Sequence, residues 1–342
     1  MPLSPRLLFR NRASSSYGSG HLRRSLILAE RLAETIGQEA IAFLTEGDET
    51  AAAVLAASGF SHRLIPEGLP ADAEAEHAAP FRPQVIVCDL LDPEPARETG
   101  LKSVCERLLT FSDSGLPGPA ADAVVCGQLL AHGVNPGHAS QRLLLGPEYF
   151  VFDPALEPWI QREKILRPRA EKLLVCFGGY AYPQALELAA ATLPRLAPLN
   201  LEITLITGAA CPPELASRLQ NALPVGGTLL TLTRELPRLM HEADVTWIAG
   251  GFLKYEAMAL GTPAAVLALV EHQDVLTRVL SDQGLAAYLG EVERLTAQGA
   301  ADSLRRLCED GAMRETISRL GRQRVDGRGA ARLVKLLQNW LT

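Results

Sequence analysis

Three glycine-rich segments in this sequence each follow a short apolar run and precede a helical pattern. They are Gly18-Ser19-Gly20-His21, Gly178-Gly179 and Gly250-Gly251. Glycine lets the backbone approach a ligand closely, and the free N–H groups at a helix N-terminus favour anionic oxygens. The pattern therefore predicts phosphate-binding turns, although an ordinary strand-to-helix turn is the alternative interpretation of each segment.

Two ionisable side chains accompany the first segment as candidates for acid–base chemistry. His21 stands at the start of a predicted helix, and an imidazole can act as a general base near neutral pH. Asp89 ends an apolar run, which places it at the carboxyl end of a predicted strand, where catalytic groups of parallel sheets gather. Asp113 follows the next strand in the same way. Helix capping is the alternative role of both aspartates, and Arg23-Arg24 is typical of a solvated helix face.

The third segment carries a carboxylate one helical turn further on. Glu256 follows Gly250-Gly251 and precedes Gly261-Thr262-Pro263. An isolated glutamate is typical of a helix surface, but this position favours two hydrogen bonds to a ribose diol. The first segment is not G-x-G-x-x-G, because Arg23 occupies the place of the third glycine. A dinucleotide site, and with it a dehydrogenase, is therefore disfavoured.

These turns require elements that bring them to the edge of a sheet. Short β-like runs alternate with amphipathic helical stretches, which predicts parallel sheets built from βαβ units. At roughly 100–200 residues per domain, the 342 residues predict two domains, and we place their boundary at residues 1–155 and 156–342. The predicted strands cover residues 6–10, 40–44, 62–65, 84–88, 107–111 and 123–126, then 172–177, 201–206, 228–232, 245–248 and 264–267. The predicted fold is α/β, with two doubly wound, Rossmann-like domains facing a central cleft.

The bulk properties narrow the class of function. The net charge is −6 and the pI is about 5.7, so nothing indicates binding to nucleic acid or to anionic lipid. Three arginines interrupt the apolar N-terminal stretch, and no apolar run approaches the roughly 18 residues of a membrane span. The six cysteines form no C-x-x-C pair. We therefore expect a cytoplasmic protein, a monomer or weak dimer, with no metal site.

Taken together, these segments resemble the GT-B superfamily. Within it they are most similar to the pseudaminic-acid pathway UDP-sugar hydrolases (PseG) and their spore-coat polysaccharide relatives. The resemblance rests on residues 18–24, on Phe9-Arg10, on the Phe177-Gly178-Gly179 turn and on Leu145–Tyr149. It also rests on the series Gly250-Gly251, Glu256, Gly261-Thr262-Pro263 and His272-Gln273. It covers nearly the whole chain, and the Gly250–Gln273 series is shared with many GT-B transferases.

The resemblance implies a metal-independent enzyme that cleaves the glycosyl–phosphate bond of a nucleotide sugar with inversion. UDP is the expected nucleotide, and no cofactor is expected. His21, with Asp89, would activate the attacking water. The nucleotide and phosphate groups would bind Gly18, Gly20, Gly178, Gly179, Gly250, Gly251, Phe252, Leu253, Glu256 and Gln273. The sugar or acceptor would contact Arg12, Tyr17, Asp113 and His272.

The chain departs from the hydrolase pattern at positions that would contact sugar and phosphate. The group usually has Asp at the position of Arg12, an Asp-His-Tyr run at Asp89-Leu90-Leu91, and Asp-Asp at Ser112-Asp113. It also has Ser-Thr at Phe252-Leu253 and Asn at His272. These differences leave two alternatives open beside hydrolysis: an inverting glycosyltransferase that uses the same donor, and a non-catalytic protein that binds nucleotide sugars.

Overall fold

The computed structural model describes residues 5–14, 20–90, 94–113, 118–130, 141–179, 182–208 and 210–342, with the backbone but not the side chain of His272. Contacts divide the chain into two units. Unit 1 comprises residues 1–128, 132–154 and 327–342, and unit 2 comprises residues 129–131 and 155–326. This division differs from the expected one because the last helix of the chain packs with unit 1.

Unit 1 is built on a seven-stranded parallel sheet in the order β3-β2-β1-β4-β5-β6-β7. Its strands are β1 (Leu7–Ala13), β2 (Ile41–Gly47), β3 (Ser61–Ile65), β4 (Val85–Asp89), β5 (Arg107–Phe111), β6 (Ala123–Cys126) and β7 (Arg142–Leu145). Its helices are α1 (Gly20–Ile36), α2 (Glu49–Ser58), α3 (Glu74–Ala78), α4 (Pro95–Lys102) and, at the end of the chain, α13 (Gly329–Leu341).

Helix α13 completes the core on one face of this sheet. Leu333 and Leu337 are fully buried, and they pack in one apolar cluster with Leu22 and Leu28 of α1 and Phe9 of β1. The contact is close because α13 begins at a glycine: a Cβ on Gly329 would lie 2.1 Å from the carbonyl oxygen of Phe150. Residues 327–342 therefore belong to the hydrophobic core of unit 1 although they follow unit 2 in the sequence.

Unit 2 repeats the scheme with a six-stranded parallel sheet in the order β10-β9-β8-β11-β12-β13. Its strands are β8 (Lys172–Cys176), β9 (Glu202–Thr207), β10 (Thr228–Thr231), β11 (Val245–Ala249), β12 (Ala264–Ala268) and β13 (Ala287–Glu291). Its helices are α5 (Glu157–Ile160), α6 (Pro183–Thr192), α7 (Pro213–Ala222), α8 (Leu236–Glu242), α9 (Leu253–Leu260), α10 (Glu271–Asp282), α11 (Ala297–Glu309) and α12 (Gly311–Arg324).

Both sheets reverse their strand order at one point, between β1 and β4 in unit 1 and between β8 and β11 in unit 2. The crevice outside the carboxyl ends of the strands at such a point is where doubly wound sheets bind ligands. The four strands that flank the two switch points are almost wholly buried, and each contains a run of apolar residues, as is typical of parallel strands covered on both faces. The buried sheet therefore holds the carboxyl ends of these four strands in fixed positions.

All eleven predicted strands form, with ends shifted by up to three residues, and the predicted α/β fold class is confirmed. The sequence prediction missed β7 and β13, the last strand of each sheet. All six cysteines are free thiols. Within the described ranges, none of the helices combines the length and the apolar character needed to cross a membrane.

Candidate active site

The switch point of unit 1 brings together His21 and Asp89, the two predicted catalytic residues. Asp89 is the last residue of β4, and His21 is the second residue of α1, which follows β1. Nδ1 of His21 lies 2.8 Å from Oδ1 of Asp89. The aspartate is fully buried, whereas 16% of the His21 side chain is exposed. The imidazole therefore stands between a buried carboxylate and solvent.

Arg24 and Asp113 extend this pair into a buried cluster. Arg24 lies one helical turn after His21, so both side chains leave the same face of α1. Nε of Arg24 donates to Oδ2 of Asp89 at 2.7 Å, and Nη2 donates to Oδ2 of Asp113 at 2.6 Å. The guanidinium stacks on the ring of Phe111, with Cζ 4.1 Å from the ring centroid. Arg24 is 7% exposed and Asp113 5%.

The charges of this cluster set the ionisation of Asp89. Burial raises the pKa of its carboxyl group, but the positive charges of Arg24 and His21 and their hydrogen bonds outweigh burial and lower the pKa to about 2. Burial likewise opposes the charged form of Arg24, but the two carboxylates prevail and raise its pKa above the ordinary value. Asp89 is thus ionised at neutral pH and accepts a hydrogen bond from Nδ1 of His21. In the neutral form of the imidazole, this fixes the tautomer and leaves the lone pair on Nε2.

The same residues include a set of potential metal ligands. One ligand atom from each of His21, Asp89 and Asp113 lies within 4.8 Å of the others. Both carboxylates already accept hydrogen bonds from Arg24, and one also accepts from His21. A divalent cation bound there would have to displace the guanidinium. The arrangement is better suited to proton transfer than to metal binding.

The switch point of unit 2 carries two glycine turns. Gly178-Gly179 follow β8, Gly250-Gly251 follow β11, and these two strands are paired neighbours. A Cβ added at Gly178, Gly179 or Gly251 would meet no atom of the described residues within 4 Å, so these residues leave the backbone open to a ligand at all three positions. Gly250 differs, because a Cβ there would lie 2.8 Å from Oγ1 of Thr277. It is required for packing against α10.

Three polar side chains surround the Gly250 turn. Lys254, in the first turn of α9, is 2% exposed, and its Nζ donates to the carbonyl oxygen of Gly250 at 2.6 Å. Oε1 of Gln273 accepts from the N–H of Leu269 at 3.0 Å, which holds the end of β12. Glu256 is half-buried in the first turn of α9 and contributes to raising the pKa of Cys176, at the end of β8. Glu256 therefore lies near the Gly178 turn as well.

Arg12 does not join the His21 cluster. Its Nη2 forms an ion pair with Oε2 of Glu46 at 3.0 Å, and its side chain is 16% exposed. Alternate residues of a strand face opposite sides of the sheet. Phe9 faces the core that contains α1, so Arg12 and Arg10 point to the other side. There Arg10 pairs with Glu46 and Glu74.

The remaining predicted site residues fall into two groups. Tyr17 and Gly18, and the departure Leu91, lie outside the described residues, as does the side chain of His272. Among the described ones, Gly20 is exposed at the start of α1, and Phe252 and Leu253 are half-buried where α9 begins. Leu90 is 2% exposed and belongs to the apolar core.

Sequence reasoning missed the role of two buried basic residues. Arg24 was expected on a solvated helix face, and this expectation is wrong: its neighbour Arg23 is the exposed one, with 70% of its side chain accessible. The available signal was the i, i+3 spacing from His21, because residues three apart share one helix face. Lys254 had a comparable signal, since a lysine in the first turn of a helix opposes the helix dipole.

No protein-family model matches the chain. Over 201 residues it is 30% identical to the spore coat polysaccharide biosynthesis protein SpsG of Bacillus subtilis (strain 168). That match covers 58% of this chain and 58% of the relative, so it spans less than two thirds of either protein.

Solved structures match this chain over nearly its full length. The glycotransferase of kitacinnamycin has a TM-score of 0.70 at 15% identity, with 99% of this chain and 100% of that chain covered. The spinosyn rhamnosyltransferase SpnG, complexed with thymidine diphosphate, has a TM-score of 0.63 at 15% identity, with 97% and 100% covered. These similarities show that the chain has the GT-B fold, as the resemblance predicted.

Proposed function

We propose that this chain, which has the GT-B fold and is similar to SpsG, is an inverting glycosyltransferase. In this proposal it transfers a sugar from a nucleoside diphosphate to an acceptor hydroxyl in polysaccharide biosynthesis. Unit 1 supplies the base that takes the acceptor proton. Unit 2 binds the nucleotide and its diphosphate.

The observation that carries this proposal is the hydrogen bond between His21 and Asp89 at the switch point of unit 1. Asp89 is ionised because its pKa lies at about 2, so it must accept from Nδ1–H. The free lone pair of Nε2 can then accept a proton, and the carboxylate stabilises the imidazolium that results. A histidine held only for packing would need no buried, ionised partner.

The proposed reaction uses this hydrogen-bonded pair as its base. The acceptor O–H gives its proton to Nε2 of His21 while its oxygen forms a bond to the anomeric carbon. The bond between that carbon and the phosphate oxygen breaks, and its electron pair leaves with the nucleoside diphosphate. Attack opposite the leaving group inverts the configuration. The imidazolium later returns its proton to solvent.

The leaving diphosphate needs stabilisation, which the turns of unit 2 can supply. The described residues leave space beside the backbone at Gly178, Gly179 and Gly251, and α9 begins at Leu253, shortly after the last of them. Helix N-termini and free N–H groups favour anionic oxygens. Glu256 is the candidate for the ribose hydroxyls. The proposal therefore requires no metal and no further cofactor, and UDP is the nucleotide we propose first.

The names of the matched proteins support transfer to an acceptor over transfer to water. The two solved structures are called a glycotransferase and a rhamnosyltransferase, and the second was solved with a nucleoside diphosphate. The partial relative is named for polysaccharide biosynthesis. Leu90, which replaces a polar residue of the hydrolase pattern, is buried in the core and offers no group to orient a water.

The test begins with nucleotide binding. In a thermal-shift panel of UDP, GDP, CMP and thymidine diphosphate, a ligand at 100 times its dissociation constant adds about 2.7 kcal/mol of stability, enough to rank the four. Sugars linked to the nucleotide that stabilises the protein most are then incubated with the protein, with and without a panel of acceptor glycans. We expect turnover that depends on the acceptor. Free sugar released equally fast without acceptor would instead identify a hydrolase.

A pair of variants separates catalysis from binding alone. His21→Ala should retain nucleotide binding and lose about 100-fold or more in kcat, the usual contribution of a general base. His62→Ala is the matched control, because this exposed histidine of β3 lies in the same unit. Tight nucleotide binding with no turnover of any sugar by the parent would overturn the proposal in favour of a binding protein.

A further inference from the structure

The two carboxylates of the His21 cluster lie unusually close for buried groups of like charge. Ligand oxygens of Asp89 and Asp113 are within 4.8 Å of each other, and the side chains are 0% and 5% exposed. Two carboxylates that share a buried site repel each other unless a cation lies close to both. Here the guanidinium of Arg24 lies between them.

We propose that Arg24 is a positioning residue: by donating to Asp89 and Asp113 at once, it holds the carboxylate of Asp89 against Nδ1 of His21 and so keeps Nε2 directed to the acceptor proton. This inference rests on the proposed function only for the role of Nε2 as the atom that takes the acceptor proton. The arrangement of the four side chains is a property of unit 1 alone. Arg24 itself touches neither acceptor nor donor in the mechanism above.

The charge balance of the cluster supports this role. With His21 neutral, two carboxylates and one guanidinium leave one net negative charge in a buried space. The proton that His21 accepts during transfer therefore neutralises the cluster. Cys126 also faces it, from β6, but burial raises the pKa of that thiol to about 11, so the thiol adds no charge at neutral pH.

The geometry shows how Arg24 is kept in place. Its Nε and Nη2 reach the two carboxylates, and the ring of Phe111 supports the guanidinium plane from below. Arginine suits this place better than lysine, because its planar fork can donate to two acceptors at once. Without the guanidinium, the two carboxylates would repel each other, and nothing would hold Asp89 in place to stabilise the imidazolium.

Charge rescue provides the experiment. Arg24→Gln removes the cation, so repulsion between the two carboxylates should move Asp89 away from Nδ1 of His21. The double variant R24Q/D113N also removes one carboxylate and restores the net charge of −1, so this repulsion is absent and Asp89 should return. D113N alone retains the cation and its hydrogen bonds to Asp89 and should leave Asp89 in place. Arg23→Gln, one position earlier on the exposed face of α1, is the matched control for loss of an arginine.

The first readout requires no substrate. An Nδ1–H bound to a carboxylate gives a proton NMR signal far downfield of the amides, and His21→Gln assigns it among the seven histidines. We expect the signal at pH 7 in the parent, R23Q, D113N and R24Q/D113N, and its loss in R24Q. A signal that persists in R24Q, or that stays absent in the folded double variant, overturns the proposal.

The second readout is turnover. R24Q should lose about 100-fold or more in kcat with little change in nucleotide affinity, and the double variant should recover at least about tenfold of that loss. If R24Q does not fold, R24K and the double variant still test the inference: both must show the downfield signal. The NMR outcome decides the role of Arg24 even if no nucleotide sugar is turned over, so failure of the proposed function would be seen separately.

Discussion

Glu98 makes the stability of unit 1 depend on pH in a direction opposite to that of most carboxylates. This residue of α4 is 1% exposed, and neither of its carboxyl oxygens has a hydrogen-bond partner among the described residues. Burial dominates over the nearby hydroxyl of Thr110 and the N–H of Gly118, and it raises the pKa to about 7. The ordinary value is 4.5.

The sign follows from proton binding. Between pH 4.5 and 7 the folded protein holds a proton on Glu98 that the unfolded chain has lost, so stability falls as pH rises through this window. The full shift corresponds to about 3 kcal/mol at 1.36 kcal/mol per pH unit. By the same linkage, about 2 kcal/mol of this loss develops between pH 5.5 and 8.

The test is the substitution Glu98→Gln, which keeps the shape of the side chain and removes its ionisable group. We expect E98Q to be more stable than the parent at pH 8, and its advantage to shrink by about 2 kcal/mol at pH 5.5. Urea denaturation followed by hydrogen exchange in peptides of β4 and β5 measures this. Glu106→Gln, an exposed glutamate of the same unit, is the control and should show no such trend. An advantage of E98Q that is the same at both pH values would refute the assignment of the raised pKa.

Two further predictions concern packing. Gly250→Ala should destabilise unit 2 by about 1–3 kcal/mol, because its Cβ would clash with Thr277 and Gln273. Gly251→Ala should retain the stability and weaken only nucleotide binding, so equal melting temperatures for the two variants would contradict this reasoning. Leu333→Ala in α13 should cost about 2–5 kcal/mol. Hydrogen exchange should report that loss in β1 rather than in β8, and the reverse pattern would assign α13 to the other unit.

The sequence predicted well those features that depend on local pattern. Each strand that flanks a switch point contains a run of at least three consecutive apolar residues, and such runs identify buried parallel strands directly. The edge strands β7 and β13 carry weaker signals. Residues of β13 (Ala287–Glu291) are mostly half-buried and include a glycine, so nothing in their pattern distinguishes them from a loop.

The sequence predicted the position of the site better than the hydrogen bonds and ion pairs among its side chains. His21, Asp89 and Asp113 each end or follow a predicted strand, and doubly wound sheets gather such residues at one edge. The role of Arg24 depends on which way α1 is rotated about its axis. That rotation is set by the apolar residues of the helix packing into the core, and only the assembled unit shows that Arg24 turns inward while Arg23 turns out.

The polar end of β1 forms a cluster of ion pairs on the face of the sheet opposite α1. Arg10, Asn11 and Arg12 interrupt an otherwise apolar strand, and consecutive strand residues point to opposite faces. Arg10 and Arg12 therefore meet Glu46 on the face away from α1, whereas the His21 cluster forms on the α1 face. Breaking a buried ion pair by removing one partner typically costs about 3–5 kcal/mol. The ion pairs of Arg10 thus stabilise β1, the strand that precedes His21 in the sequence, and the polar end of this strand is itself a sequence signal for the switch point.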